Sequence, residues 1–351
     1  MSPSPSREKG FKRQPHPVGT DTMSKLRRAL LVAGLLAPLA VLVTGTPGAQ
    51  AADAYPSRPV KLVVPFPPGG SNDLLAREIA DALAQRLKAP FVVENKGGAG
   101  GAIGIEAVAK SPADGYTILV VSNSLVTAPA LNRQLRFDAV KDFTPISLVA
   151  ELPTVLAVTP DVPGATLAEA LAYIKANPGK LNYASAGIGA PQHLSTEYLK
   201  SATGADIVHI PLQGQGQMLT EMLGGRVQLM IGVFSTAQPY FAKGALKALA
   251  TGGAKRTPAA PDLPTIAEAG VPGYGVQWWL GALAPAGTPP DIVALLNREI
   301  LALGQDTAFR AKLAAAGIDW VGSGPAEFSQ TLVKDLALWT KVVADAGIEA
   351  K

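Results

Sequence analysis

From residue 60 onward, short uninterrupted apolar runs alternate with stretches whose apolar residues recur every three or four positions. The run at 60–65 is dominated by Val and Leu and predicts a buried strand. Pro67-Pro68-Gly69-Gly70 break it. Leu75, Ile79, Leu83 and Leu87 then mark one face of a helix over 72–87, with Ser71 or Asn72 as candidate N-cap. A second strand at 91–94, a glycine cluster at 97–101, a helix over 102–110 and a third strand at 117–121 follow.

The alternation restarts after about residue 150. It predicts strands at 154–158, 181–185, 207–211, 227–231 and 245–250, and helices over 167–176, 191–201 and 217–223. An extended piece at 276–284 precedes three helices near 289–303, 306–316 and 325–346. Continuous apolar strands between amphipathic helices predict parallel sheet covered on both faces. So many strands fit two α/β lobes joined by extended crossings better than one sheet.

Charge changes the picture at the N-terminus alone. Residues 1–51 hold seven Lys/Arg and two acids; removing these from the chain totals of 31 and 27 leaves 24 and 25. The remainder is near neutral, so the chain shows no electrostatic footprint for nucleic acid. Lys25, Arg27 and Arg28 precede an apolar stretch over 29–43, which is shorter than the roughly 20 residues of a membrane span. Ala49-Gln50-Ala51 supplies small residues at a cleavage site. This reads as a signal peptide starting at about Met23 and cut near Ala51, with the product exported to the periplasm. With no cysteine, a lipoprotein anchor, disulfides and thiolate metal sites are excluded.

Two loops carry the chemistry. Phe66-Pro67-Pro68-Gly69-Gly70-Ser71-Asn72-Asp73 follows a strand and opens a helix. Glycines let a ligand approach the backbone, and the helix start offers free N–H groups with partial positive charge, a place for a carboxylate. The bland alternative is a tight turn with Asp73 serving the helix dipole. Ser185-Ala186-Gly187-Ile188-Gly189-Ala190-Pro191-Gln192-His193 repeats the architecture in the second half, so two helix starts are placed to grip one anion. The glycines from Gly97 to Gly104 miss the G-x-G-x-x-G register and lack G-K-[ST], which leaves close packing rather than phosphate binding. His193 and Glu197 alone do not make a metal site. Ser185 near His193 lacks a G-x-S-x-G setting, so catalysis is not expected. Trp278-Trp279 fit either stacking on a ligand or packing between lobes.

Together these segments resemble the periplasmic receptors of tripartite tricarboxylate transporters, the Bug-type solute-binding proteins. The matching pieces include Tyr55-Pro56-Ser57-Arg58-Pro59-Val60, Val93-Glu94-Asn95-Lys96, Asp114-Gly115-Tyr116-Thr117, Lys141-Asp142-Phe143-Thr144-Pro145, Asn182-Tyr183-Ala184-Ser185-Ala186-Gly187 and Pro264-Thr265-Ile266-Ala267-Glu268-Ala269-Gly270. The resemblance covers about 55–348 and implies an α/β, two-lobe periplasmic binding protein of type II (Venus flytrap). Lobe one would be 55–153 and 280–351, and lobe two 154–279. It implies a monomeric receptor, without enzymatic activity, cofactor or metal. The receptor would deliver a small carboxylate to membrane transporter subunits or, alternatively, present it to a sensor kinase ectodomain. Members generally hold the carboxylate through backbone N–H groups and waters.

Carried over by position, the first-lobe contacts would be Phe66, Gly69, Gly70, Ser71, Asp73, Ser122, Asn123 and Ser124. The second-lobe contacts would be Ala186, Gly187, Ile188, Gly189, His193, Gln213 and Gly214, with Val233 and Phe234 behind. Members often carry Tyr-Lys-Gly after His-x-Pro, where this chain has Leu212-Gln213-Gly214, and a polar residue near 232, where it has Gly232-Val233. Both departures imply a more apolar pocket and a ligand without an ammonium group.

Overall fold

The computed structural model describes residues 55–132 and 134–348. The expectations about the leader therefore lie outside the described residues. Among these residues no helix is long and apolar enough to cross a membrane.

The chain builds β1 (Val60–Val64), α1 (Ser71–Leu87), β2 (Phe91–Asn95), α2 (Ala102–Ala109), β3 (Thr117–Ser122), α3 (Ser124–Leu131) and β4 (Phe143–Leu152). It continues through β5 (Thr154–Val158), α4 (Leu167–Ala176), β6 (Asn182–Ser185), α5 (Pro191–Thr203), β7 (Val208–Pro211), α6 (Gln215–Leu223), β8 (Leu229–Val233), α7 (Phe234–Phe241) and β9 (Lys247–Thr251). The last part is β10 (Trp278–Pro285), α8 (Pro290–Leu303), α9 (Thr307–Ala315), β11 (Asp319–Trp320) and α10 (Pro325–Asp345).

Two sheets result, with strand orders β11-β4-β10-β3-β1-β2 and β7-β6-β8-β5-β9. The expectation of parallel sheet holds for only part of each. β1 runs parallel to β2 and β3, and β6 parallel to β7 and β8. β10 is antiparallel to β3 and β4, and β5 is antiparallel to β8 and β9. The cause lies in the connections. Strand-helix-strand returns within a sheet give parallel neighbours, whereas β4 runs through the single residue Pro153 into β5 of the other sheet. β10 comes back from that other sheet and enters its own from the opposite end.

Apolar periodicity places eight of the ten helices of the described residues as read; α3 and α7 are additions. Leu75, Ala76, Ile79, Ala80 and Leu83 bury one face of α1 against the first sheet. Met218, Leu219 and Met222 of α6 pack with Phe234 and Ala237 of α7 under the second sheet. A third core draws on both sheets and on α10, which lies against α3 and α5. Trp278 and Trp279 resolve as packing residues. Both are buried, and their ring N–H groups donate to Ser195 Oγ at 3.2 Å and Asp335 Oδ2 at 2.8 Å.

A candidate carboxylate cleft

Four strand-to-helix turns, β1–α1, β2–α2, β3–α3 and β6–α5, surround a cleft of about 520 Å³ lined by residues of both sheets' connections. They lie at the carboxyl ends of parallel strands, where open α/β sheets place ligands.

The first turn is held by Asp73, which is 4% exposed. Its carboxylate accepts from Gly69 N–H at 2.9 Å, from Arg77 Nε and Nη2 at 3.0 and 2.9 Å, and from Asn95 Nδ2 at 2.9 Å. Asn95 Nδ2 also donates to Phe66 O at 3.1 Å. The Arg77 guanidinium, more than any other neighbour, holds the carboxyl down at about 2, with Gly69 and Asn95 helping against burial. Asp73 is therefore a clamp on the turn, with its hydrogen-bonding capacity directed away from a ligand.

No side chain caps α1, α2, α3 or α5 at the cleft, nor α6, α7, α8 or α10 away from it, whereas α4 has a full capping box from Thr166 and Glu169 and α9 is capped by Asp306; what marks the cleft is that four such starts converge on it. The expected cap at Ser71 or Asn72 is absent: Gly70 takes the N-cap position, and Asn72 Oδ1 has no partner among the described residues. The amides of Ser71 and Asn72, and of Ile188 and Gln192, donate to nothing among the described residues. Such helix starts are ready anion sites.

Of the residues carried over from the resemblance, Phe66, Ser122, Ser124, Ala186, Ile188 and Gly189 line this cleft together. Gly69, Gly70, Ser71 and Asp73 form the turn beside it. Asn123 is buried between Ser122 and Ser124, with its Nδ2 unpartnered. Gly187 turns the backbone at φ +122°, and its N–H is taken by Ser185 Oγ at 3.1 Å. His193 stands behind the turn, its Nδ1 accepting Gly189 N–H at 3.1 Å. Gln213 and Gly214 lie outside the lining; Gln213 N–H is taken by Gln217 Oε1 at 2.8 Å. Val233 exchanges both backbone bonds with the Gln215 amide, at 2.9 and 3.0 Å, and Phe234 packs in the core under the second sheet.

Sequence reasoning missed most of the apolar wall. Thr127, Ala128 and Leu131 belong to α3, which it did not predict, and Asn132 and Leu135 follow that helix. Ala99 and Gly100 also line the cleft, so the glycine cluster does more than pack. Its packing role is nevertheless plain at Gly104, where a Cβ would sit 2.4 Å from Lys96 O. Among the described residues lining the cleft none carries a charge.

The sequence relationships follow the same outline. The family model for the tripartite tricarboxylate transporter family receptor matches residues 75–348. The chain belongs to this receptor family. It is similar to protein BugT of Bordetella pertussis, 36% identical over 93% of this chain and 99% of that one. It is also similar to the solved structure of R. palustris Rpa4515 with adipate. That match has 38% identity, a TM-score of 0.71, and covers 84% of this chain and 99% of that one. MatC (Rpa3494) from Rhodopseudomonas palustris with bound malate is 33% identical with a TM-score of 0.68, over 82% of this chain and all of that one. The fold of the receptor is that of periplasmic binding proteins.

Proposed function

We propose that this receptor captures a small carboxylate with an apolar body between two lobes, 55–153 with 280–351 and 154–279, and delivers it to the membrane subunits of a tripartite tricarboxylate transporter. In this reading the chain is exported by a signal starting near Met23 and cut near Ala51. The observation that carries it is the set of helix starts without side-chain caps around one cleft that has no charged lining. Backbone N–H groups there stand in for an arginine.

The apolar wall of Phe66, Ala128, Leu131, Leu135 and Ile188 favours a hydrocarbon body over a polyhydroxylated one. An α-amino acid is disfavoured because its ammonium would find no carboxylate: Asp73 is already committed to Gly69, Arg77 and Asn95. Adipate, bound by one relative, fits this description better than malate, bound by another. Closure is favoured only by what the ligand gains from both lobes at once.

Thermal-shift and calorimetric titration with adipate, malate and 2-aminoadipate tests the reading. Adipate or a similar diacid is expected to raise the melting temperature, since ligand at about 100 times Kd adds about 2.7 kcal/mol. Gly70→Asp, where a side chain meets open space, is expected to abolish this shift without unfolding the protein. Equal binding of the amino acid, or full affinity in Gly70→Asp, overturns the assignment.

A further inference from the structure

Behind the β6–α5 turn stand three stacked rings. Tyr183 of β6 and His209 of β7 lie 4.8 Å apart at 19°, and His209 and His193 of α5 lie 4.2 Å apart at 23°. Glu197 of α5 accepts from Tyr183 OH at 2.5 Å and from Lys200 Nζ at 2.8 Å, which ties the stack to the helix. Neither histidine lines the cleft.

Each ring nevertheless ends on the turn that does. Gly189 N–H donates to His193 Nδ1 at 3.1 Å. Ser185 Oγ lies 2.6 Å from His209 Nε2, donates to Gly187 O at 2.9 Å and accepts Gly187 N–H at 3.1 Å. The serine hydroxyl has one proton, and it goes to Gly187 O. With that proton on Gly187 O, the one shared with His209 comes from the ring, and Nε2–H on His209 is the tautomer this arrangement requires. His193, as an acceptor at Nδ1, carries its proton on Nε2 as well. Ala190 N–H closes the turn on Gly187 O at 3.2 Å. The amides of Gly187, Gly189 and Ala190 are thus all spent inside the turn, and those of Ile188, Gln192 and His193 donate to nothing among the described residues.

We propose that His193 and His209 are positioning residues: through fixed tautomers they decide which amides of the 185–190 turn face a ligand, and neither touches the ligand itself. The ligand arm of this inference rests on the receptor reading above. The groups facing the two rings are Tyr183, Glu197 and Lys200. Burial holds both imidazoles toward the neutral form, and at His209 the neighbouring His193 adds to burial and brings the value down to about 4. Glu197 pulls both upward and Lys200 opposes it.

Amide side chains separate this role from mere packing. The Oδ1 of Asn falls where a histidine has Nδ1, and the Nε2 of Gln falls where it has Nε2. His193→Asn keeps the acceptor for Gly189 N–H and His193→Gln does not; His209→Gln keeps the donor to Ser185 and His209→Asn does not. Binding of adipate is measured by calorimetry for all four variants, with melting temperatures as control. His193→Asn and His209→Gln are expected within about threefold of wild-type affinity, and the swapped pair at least about tenfold weaker. Nitrogen-15 spectra of the wild-type imidazoles at pH 8 are expected to show Nε2–H tautomers for both rings. Equal affinities across each pair, or an Nδ1–H tautomer at either ring, overturns the positioning role. If the wild type binds no carboxylate, the receptor reading fails instead, and the tautomers still decide the role of the rings.

Discussion

Leu131 and Gly189 meet across the cleft: a methyl group placed on Gly189 would lie 2.5 Å from Leu131 Cδ1. One residue ends α3 beside the first sheet and the other belongs to the turn after β6. Gly189 also holds a left-handed φ of +81°. Gly189→Ala therefore strains the backbone by about 1 kcal/mol and pushes Leu131 into the space it lines. Affinity for a bound diacid is expected to fall by about tenfold, a change of about 1.4 kcal/mol. Adding Leu131→Ala is expected to restore part of it. Calorimetry on the single and double variants checks this, and an unchanged affinity in Gly189→Ala refutes the close contact.

Asp73 makes the β1–α1 turn dependent on acid. Its folded value near 2 lies below the ordinary 3.8, so its contribution is present above about pH 4 and lost as pH falls toward 2. Asp73→Asn removes acceptor capacity facing Gly69 and Arg77. It is expected to cost about 1–3 kcal/mol at neutral pH and to flatten the loss of stability between pH 4 and 2. Denaturant melts of both proteins across that range measure it; parallel curves would contradict the clamp.

The opposite sign applies at Glu151. It faces Asp319 directly in the β4–β11 pair and accepts from Gln277 Nε2 at 2.7 Å, beside a hollow of about 460 Å³ where the chain crosses between sheets. Burial first, then the Asp319 charge, raises it from 4.5 to about 7, against Gln277 and Lys255. The folded form therefore holds the proton more tightly than the unfolded one. Stability is greatest where Glu151 is protonated and falls as pH rises from about 4.5 through 7. Glu151→Gln is expected to remove this slope and to be more stable than wild type at pH 8 by roughly 1–2 kcal/mol. Melting temperatures at pH 5 and pH 8 decide the matter, and a wild-type slope that survives in the variant counts against it.

Gly104 and Gly100 separate packing from backbone freedom within one glycine cluster. At Gly104 a methyl meets rigid neighbours, Lys96 O at 2.4 Å and Pro65 Cα at 2.9 Å, whereas at Gly100 it meets open space. Gly104→Ala is expected to destabilise by about 2–3 kcal/mol. Gly100→Ala, at φ +67°, is expected to lose about 1 kcal/mol. Equal losses on chemical denaturation would show that the close approach of α2 to the β1–α1 turn is not tight.

These contrasts indicate why some of the molecule was legible in the sequence and some was not. The strand-turn-helix units are legible because glycine and proline interrupt pure apolar runs, and the two turns that meet at the cleft are legible in that way. α3 escaped because Ser124–Leu131 has no charged face and carries Pro129; it is helical through burial against α10. β4 was hidden by Pro145 and by Glu151, although Ile146, Leu148, Val149 and Ala150 are buried. The wall of the cleft depends on α3, so its Leu131 and Leu135 were missed with it. Local spacing does not tell on which side of a turn an imidazole stands, and the place of His193 behind Gly189 is visible only in three dimensions.

The place of β10 has a consequence for the order in which the molecule forms. It sits between β3 and β4, yet it is made only after every strand of the other sheet. During synthesis or export from the N-terminus, residues 60–152 emerge first but have to wait with their central position unfilled. The later-made sheet needs no strand from outside 154–251 and has all its own before then. The half that begins the chain is thus the one completed last, its exposed strand edges at β3 and β4 guarded only by the speed with which the return crossing arrives.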